Sequence, residues 1–190
     1  MNDGKQSQQP ELTHRLATYE DEQGILQLMQ LAIRENMKPF LTEDEIEAAQ
    51  ETMGLDRSLI EDGTYFIIEA RQGEQTLMVG CGGWGKRKTL YGSDQTLGRD
   101  DSFSNPDIDP ARIRAMYTHP QWTRRGIGSL LLQLGEDAAR GAGFESIELG
   151  ATLAGEPLYR ARGYRESERS TLVSANGSDN VIIRMVKKLT

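Results

Sequence analysis

The stretch from residue 111 to residue 151, ARIRAMYTHPQWTRRGIGSLLLQLGEDAARGAGFESIELGA, restricts the fold more than any other part of the chain. It opens and closes on short runs of strand character (111–119 and 144–151). Between them GIGSLLLQLGEDAAR (126–140) repeats Leu130, Leu131, Leu134 and Ala138 at helical spacing, and GAG stops the helix. A strand, a helix and a second strand in that order form a parallel crossover, because a tight turn can return the chain only antiparallel.

The flanks supply the rest of the fold. HRLAT (14–18) reads as a first short strand, and residues 21–36 place Ile25, Leu28, Met29, Ala32 and Ile33 on one helical face. A second helix starts after Thr42, whose TEDE carries a capping box closed by Glu45, and runs until just before Gly63. TYFIIEA (64–70) and TLMVGCGGWG (76–85) form a hairpin across RQGEQ. Residues 86–110, rich in Gly, Asp, Ser, Asn and Pro, read as a long loop of the functional or mobile kind. GEPLYRARG (155–163) is a short helix with Pro157 near its start. Two last strands, 164–174 and 180–189, make a hairpin around ANGSD. The expected fold is α/β (α+β): a mixed, mostly antiparallel sheet with a central parallel crossover and helices on both faces. A single domain over 12–190 follows a flexible tail, 1–11.

Composition narrows function. A net charge of −7 argues against a nucleic-acid partner, and no run is long and apolar enough for a signal peptide or a membrane span. The lone Cys81 rules out an intrachain disulfide and a cysteine metal cluster, which favours a reducing, cytoplasmic setting. With only His14 and His119, no metal site is expected.

Two glycine motifs compete for a phosphate. GCGGWG (80–85) satisfies G-x-G-x-x-G, but KRKTLYGSDQT follows it where a dinucleotide site needs a helix. Gly80, Gly82 and Gly83 are better read as a bulge or a close approach of another chain or ligand. Gly126 and Gly128 do stand at a helix entry, where first-turn amides favour an anion. Arg112, Arg114, Arg124 and Arg125 precede them with no acid between 111 and 128. The same glycines also suit a tight turn with close helix–sheet packing, and the residues alone leave both readings open.

RAMYTHPQWTRRGIGSLLL resembles the acyl-CoA-binding core of the GNAT superfamily of N-acyltransferases, whose signature is Gln/Arg-x-x-Gly-x-Gly/Ala. The signature's first position is Thr123 here, a departure that leaves the charge to Arg124 and Arg125. PLYRARGY (157–164) is similar to the family's Tyr-x-x-x-Gly-Phe/Tyr segment, while its Asn-Ala appears as Ala154-Gly155. The resemblance implies acetyl-CoA as co-substrate, contacted by Met116, Tyr117 and Thr118 and by the loop Arg124, Arg125, Gly126, Ile127, Gly128 and Ser129. It implies acetyl transfer to a primary amine of a small molecule or peptide by direct attack on the thioester, with Tyr159 meeting the departing thiolate. The alternative is a non-catalytic acyl-CoA sensor or interaction module. A general base is not apparent; Glu69 and Glu148, both on strands, are the available carboxylates. The acidic run 43–62 is either an attractive rim for a cationic amine or a solvated helix face. The last strand is a candidate for pairing with a second copy in a homodimer, against which Lys187 and Lys188 weigh.

Overall fold

A computed structural model describes residues 10–189. The strands are β1 (Leu12–Leu16), β2 (Tyr65–Gln72), β3 (Gln75–Gly85), β4 (Ala111–Thr118), β5 (Ser146–Ala151), β6 (Arg165–Val173) and β7 (Asp179–Lys188). The helices are α1 (Glu22–Asn36), α2 (Glu43–Thr52), α3 (Arg57–Glu61), α4 (Ile127–Gly141) and α5 (Glu156–Ala161). The strands form one sheet in the order β1-β2-β3-β4-β5-β7-β6. Every pair is antiparallel except β4–β5, the crossover anticipated from 111–151.

Helices cover both faces. On one, Ile25, Met29 and Ile33 of α1, Ile46 of α2 and Leu59 of α3 pack on Tyr65, Ile67, Cys81 and Tyr117. On the other, α4 spans two cores. Ile127 and Leu131 meet Ile68, Val79 and Trp122, while Leu132 and Ala139 meet Ile113, Ile147 and Leu149. Its deepest stripe is therefore Leu131, Leu132, Gly135 and Ala139, with the expected Leu130, Leu134 and Ala138 half-buried at the flanks. A helix lying over two cores needs a face wider than one leucine stripe.

Several expectations are corrected. The expected helix from 42 to 62 is two helices. α2 keeps its capping box, Thr42 N donating to Glu45 Oε2 at 2.7 Å. The chain then turns extended at Met53, and Asp56 caps α3 by accepting from Ser58 N (3.1 Å). Gly54, just after the break, leaves room for Ser93, whose Cβ a side chain there would meet at 2.9 Å. The first strand begins two residues earlier than expected, and Glu11 is tied down by Arg71 N donating to its carbonyl (3.1 Å). Of the tail read over 1–11, residues 1–9 lie outside the described residues. The last strand is no sheet edge: β7 lies between β5 and β6, which leaves β1 and β6 as the edges. The 86–110 segment does lack regular structure, yet it is pinned. Lys88 N donates to Ser102 O (2.9 Å) and Ser104 N to Lys86 O (2.7 Å).

Candidate active site

The parallel pair β4–β5 is short. Its register holds only at Ala111–Ile147 and Arg112–Glu148, after which the strands diverge. Beyond that rung β4 keeps its antiparallel partner β3 on the other side, through Tyr117–Cys81 and Thr118–Gly80. A bulge interrupts this pairing, with Ala115 in left-handed conformation (φ 51°). An alanine held there is strained and must be fixed by its surroundings. The buried Tyr65 hydroxyl does so by donating to the Ala115 carbonyl at 2.9 Å. Past the bulge His119 N turns to β3, donating to Val79 O (2.9 Å). The Thr118 carbonyl faces away from β3 and accepts from Asn36 Nδ2 (2.8 Å).

The opening between β4 and β5 leads to the start of α4. Arg124 (φ 63°) and Gly126 (φ 85°) both adopt left-handed backbone, so the chain doubles back before Ile127. Leu130 N is the first to reach an α-helical acceptor, the Gly126 carbonyl at 2.9 Å. The amides of Ile127, Gly128 and Ser129 thus form a first turn without intrahelical partners. Gly128 has a second duty: a Cβ there would stand 2.8 Å from Leu158 Cδ2, so α4 and α5 could not close together. The turn and anion readings of these glycines are therefore compatible, because packing uses the flanks and leaves the helix end free.

Charge around this helix end differs from the rest of the molecule. Arg124 and Arg125 are exposed, and the Arg125 guanidinium stacks on the Trp122 ring at 4.7 Å. Arg162, at the end of α5, donates Nε to Ser129 Oγ (3.0 Å). None of the three is ion-paired among the described residues. Arg112 and Arg114, counted with them in sequence, are elsewhere. Both are buried on β4, Arg112 against Glu148 (2.9 Å) and Arg114 against Asp56 (2.7 Å). The local surplus is thus Arg124, Arg125 and Arg162. The last was missed because its proximity is created only by folding α5 onto α4.

Tyr159 lies on α5 with its ring half-buried, edge-on to Tyr164 at 5.9 Å. Burial pushes its phenol up to about 12. Tyr117 on β4 is likewise pushed up by burial, with Cys81 and Tyr159 near enough to add to the effect. Tyr117 and Tyr159 are thus neighbours, and α5 meets the start of α4 through Leu158 against Gly128 and Arg162 against Ser129. The carboxylates considered as bases are committed elsewhere. Glu148 is fully buried between Arg112 and Arg184 (2.6 Å), and Glu69 pairs with Arg15 (3.0 Å) near β1. His119 Nδ1 accepts from Gln121 N (3.2 Å) as a turn cap. Cys81 is buried, its thiol pushed up to about 12 by burial, and offers no nucleophile.

The glycines of 80–85 serve packing, as read. A Cβ on Gly80 would stand 2.4 Å from Ile127 Cγ2, and one on Gly83 2.2 Å from the Thr64 carbonyl. Part of the acidic run is structural too: Asp56 is buried, Glu45 caps α2, and Glu61 and Asp62 pair with Arg87. Glu43, Asp44, Glu47 and Glu51 remain exposed.

Comparison with known proteins agrees with this layout. Residues 25–164 match the model of the acetyltransferase (GNAT) family. No curated protein matches the chain in sequence. Among solved structures, a GCN5-related N-acetyltransferase from Rhodopseudomonas palustris superposes with a TM-score of 0.64 at 18% identity, covering 95% of this chain and 96% of its own. PaiA N-acetyltransferase from Thermoplasma acidophilum, solved with coenzyme A, gives 0.60 at 15% identity, covering 94% and 99%. YncA from Salmonella typhimurium, solved with acetyl-CoA, gives 0.57 at 18% identity, covering 94% of each chain. At these identities the solved structures establish the shared fold.

Proposed function

Since the chain belongs to the GNAT family of acetyltransferases, we propose that it transfers the acetyl group of acetyl-CoA directly to a primary amine of a small molecule or peptide. One observation carries the site assignment: the opening between β4 and β5 ends at the first turn of α4, whose amides lack intrahelical partners, flanked by three arginines that make no ion pair among the described residues. In this reading the Ile127, Gly128 and Ser129 amides hold the diphosphate, with Arg124 and Arg125 adding charge. The β4 edge at Met116–Thr118 takes the pantetheine arm in place of a strand.

The neutral amine attacks the thioester carbonyl, whose developing oxyanion is met by a backbone amide of the Met116–Thr118 segment. Collapse breaks the C–S bond; coenzyme A leaves as a thiolate, the amine gains the acetyl group, and its surplus proton passes to solvent. Tyr159 is suited to donate a hydrogen bond to that sulfur. A phenol is a weaker acid than a thiol, so stabilisation of the departing sulfur rather than full protonation is its role. The lone cysteine, buried and unpaired, fits the reducing cytoplasmic setting we assign to the protein.

An amine panel with thiol detection tests the whole reading, run beside thermal unfolding with coenzyme A. Acetyl-CoA-dependent thiol release together with a raised melting temperature is the expected result. Stabilisation without release for any amine would make the protein a sensor, and neither response would remove coenzyme A from this site.

A further inference from the structure

The helices α4 and α5 occupy one face of β4, β5 and β7. Strand alternation sends Ile113, Ile147, Leu149 and Ile183 into that core and turns Arg114, Glu148, Gly150 and Ile182 to the opposite face. Over that opposite face lies a piece of the 86–110 segment. Arg114 donates Nη1 to Thr89 O and Nη2 to Gly92 O, both at 3.0 Å. Tyr91, between these anchors, reaches β5: its Cδ1 and Cβ lie 3.4 and 3.6 Å from where a Gly150 Cβ would stand, with Ile182 Cγ2 at 3.3 Å. Arg112 and Glu148 form the last parallel rung, so Arg114 and Gly150 are level with each other just beyond it. Residues 89–92 therefore cross from β4 to β5 where the two strands have just parted.

The crossing is firmly held. Arg114 pairs with Asp56, which also accepts from Arg99 Nη2 (3.0 Å), and Arg99 Nη1 donates to Ser93 O (2.8 Å). Thr89 and Ser93 are buried, while Tyr91 between them is 42% exposed. An exposed aromatic ring on a rigid backbone, beside the mouth of a reaction cleft, is a surface built to touch something other than the core.

We propose that Tyr91 is a specificity-determining residue for the acceptor, its ring packing on the carbon skeleton of the incoming amine. This rests on the reading above. If acetyl-CoA enters from the side of α4 and α5, the amine reaches the thioester from the face that residues 89–92 cross. Gly150 is the β5 residue on which the ring rests, a Cβ there lying within van der Waals distance of Tyr91.

The test uses the full chain and two synthetic conjugates in which coenzyme A sulfur carries CH2–CO–NH–R, with R either methyl or phenethyl. Calorimetry gives their Kd values. Tyr91→Ala weakens the phenethyl conjugate about tenfold relative to the methyl one. Tyr91→Phe, which keeps the ring, leaves that ratio within about twofold of the parent. An unchanged ratio in Tyr91→Ala, or tighter phenethyl binding, overturns the assignment of Tyr91. Loss of binding by coenzyme A and both conjugates in the unaltered protein instead overturns the cofactor site, and this inference with it.

Discussion

Tyr159 shows how much a side chain's role depends on its surroundings. A phenol is a weaker acid than a thiol, and burial pushes that of Tyr159 up to about 12, which makes it a hydrogen-bond donor at all ordinary pH. Tyr159→Phe should lower kcat by about 100-fold, at the low end for such groups, with little change in the Kd of acetyl-CoA. Steady-state kinetics with calorimetry on the same variant decides it; an unaltered kcat would take Tyr159 out of the reaction. The rate should also show no ionisation of this tyrosine below about pH 11, since its phenol titrates near 12. A fall in kcat between pH 9 and 10 that Tyr159→Phe abolishes would contradict the environment described.

At the scale of elements, the approach of α4 to the sheet matters most, since the helix end must lie beside the parted strands. Gly80 sets that approach, its missing side chain leaving room for Ile127. Gly80→Ala should push the start of α4 outward, costing about 1–3 kcal/mol in urea unfolding and raising the KM for acetyl-CoA more than it lowers kcat. An unchanged KM would mean that α4 is not positioned through this contact. The bulge at Ala115 is the companion device, held by Tyr65 from the neighbouring strand but one. No local pattern in ARIRAMYT announces it, because the hydroxyl that fixes it is 50 residues away in sequence.

Across the whole molecule, one buried carboxylate joins three distant pieces of chain. Asp56 binds Arg114 of β4 and Arg99 of the long segment while capping α3. Burial opposes its ionisation, but Arg114, Ser58 and Arg99 together hold it below the usual carboxylate range. A depressed carboxylate contributes stability that is complete above the ordinary value, near 4, and lost as pH falls through its folded value. Asp56→Asn should therefore flatten the acid limb of the stability profile, measured by urea unfolding from pH 7 down to 3. Asp56→Ala, leaving the buried Arg114 without its carboxylate, should cost about 3–5 kcal/mol at pH 7. A profile that Asp56→Asn leaves unchanged would show the cluster to be silent in folding.

Sequence alone determined what depends on neighbours along the chain. Hydrophobic period, capping at Thr42, the helix stop at 141–143 and the length of the link between β4 and β5 fixed the crossover and hence the sheet's one parallel pair. The glycine entry to α4 and the segment around Tyr159 were legible for the same reason. Tertiary structure decided what depends on partners far away in sequence. It took Arg112 and Arg114 out of the charged surface by pairing them with Glu148 and Asp56, and brought Arg162 to Ser129 instead. It also placed β7 inside the sheet and carried Tyr91 across to Gly150. Charge and contact act through space, so a list of residues states which groups a chain owns, and only the fold states which of them meet.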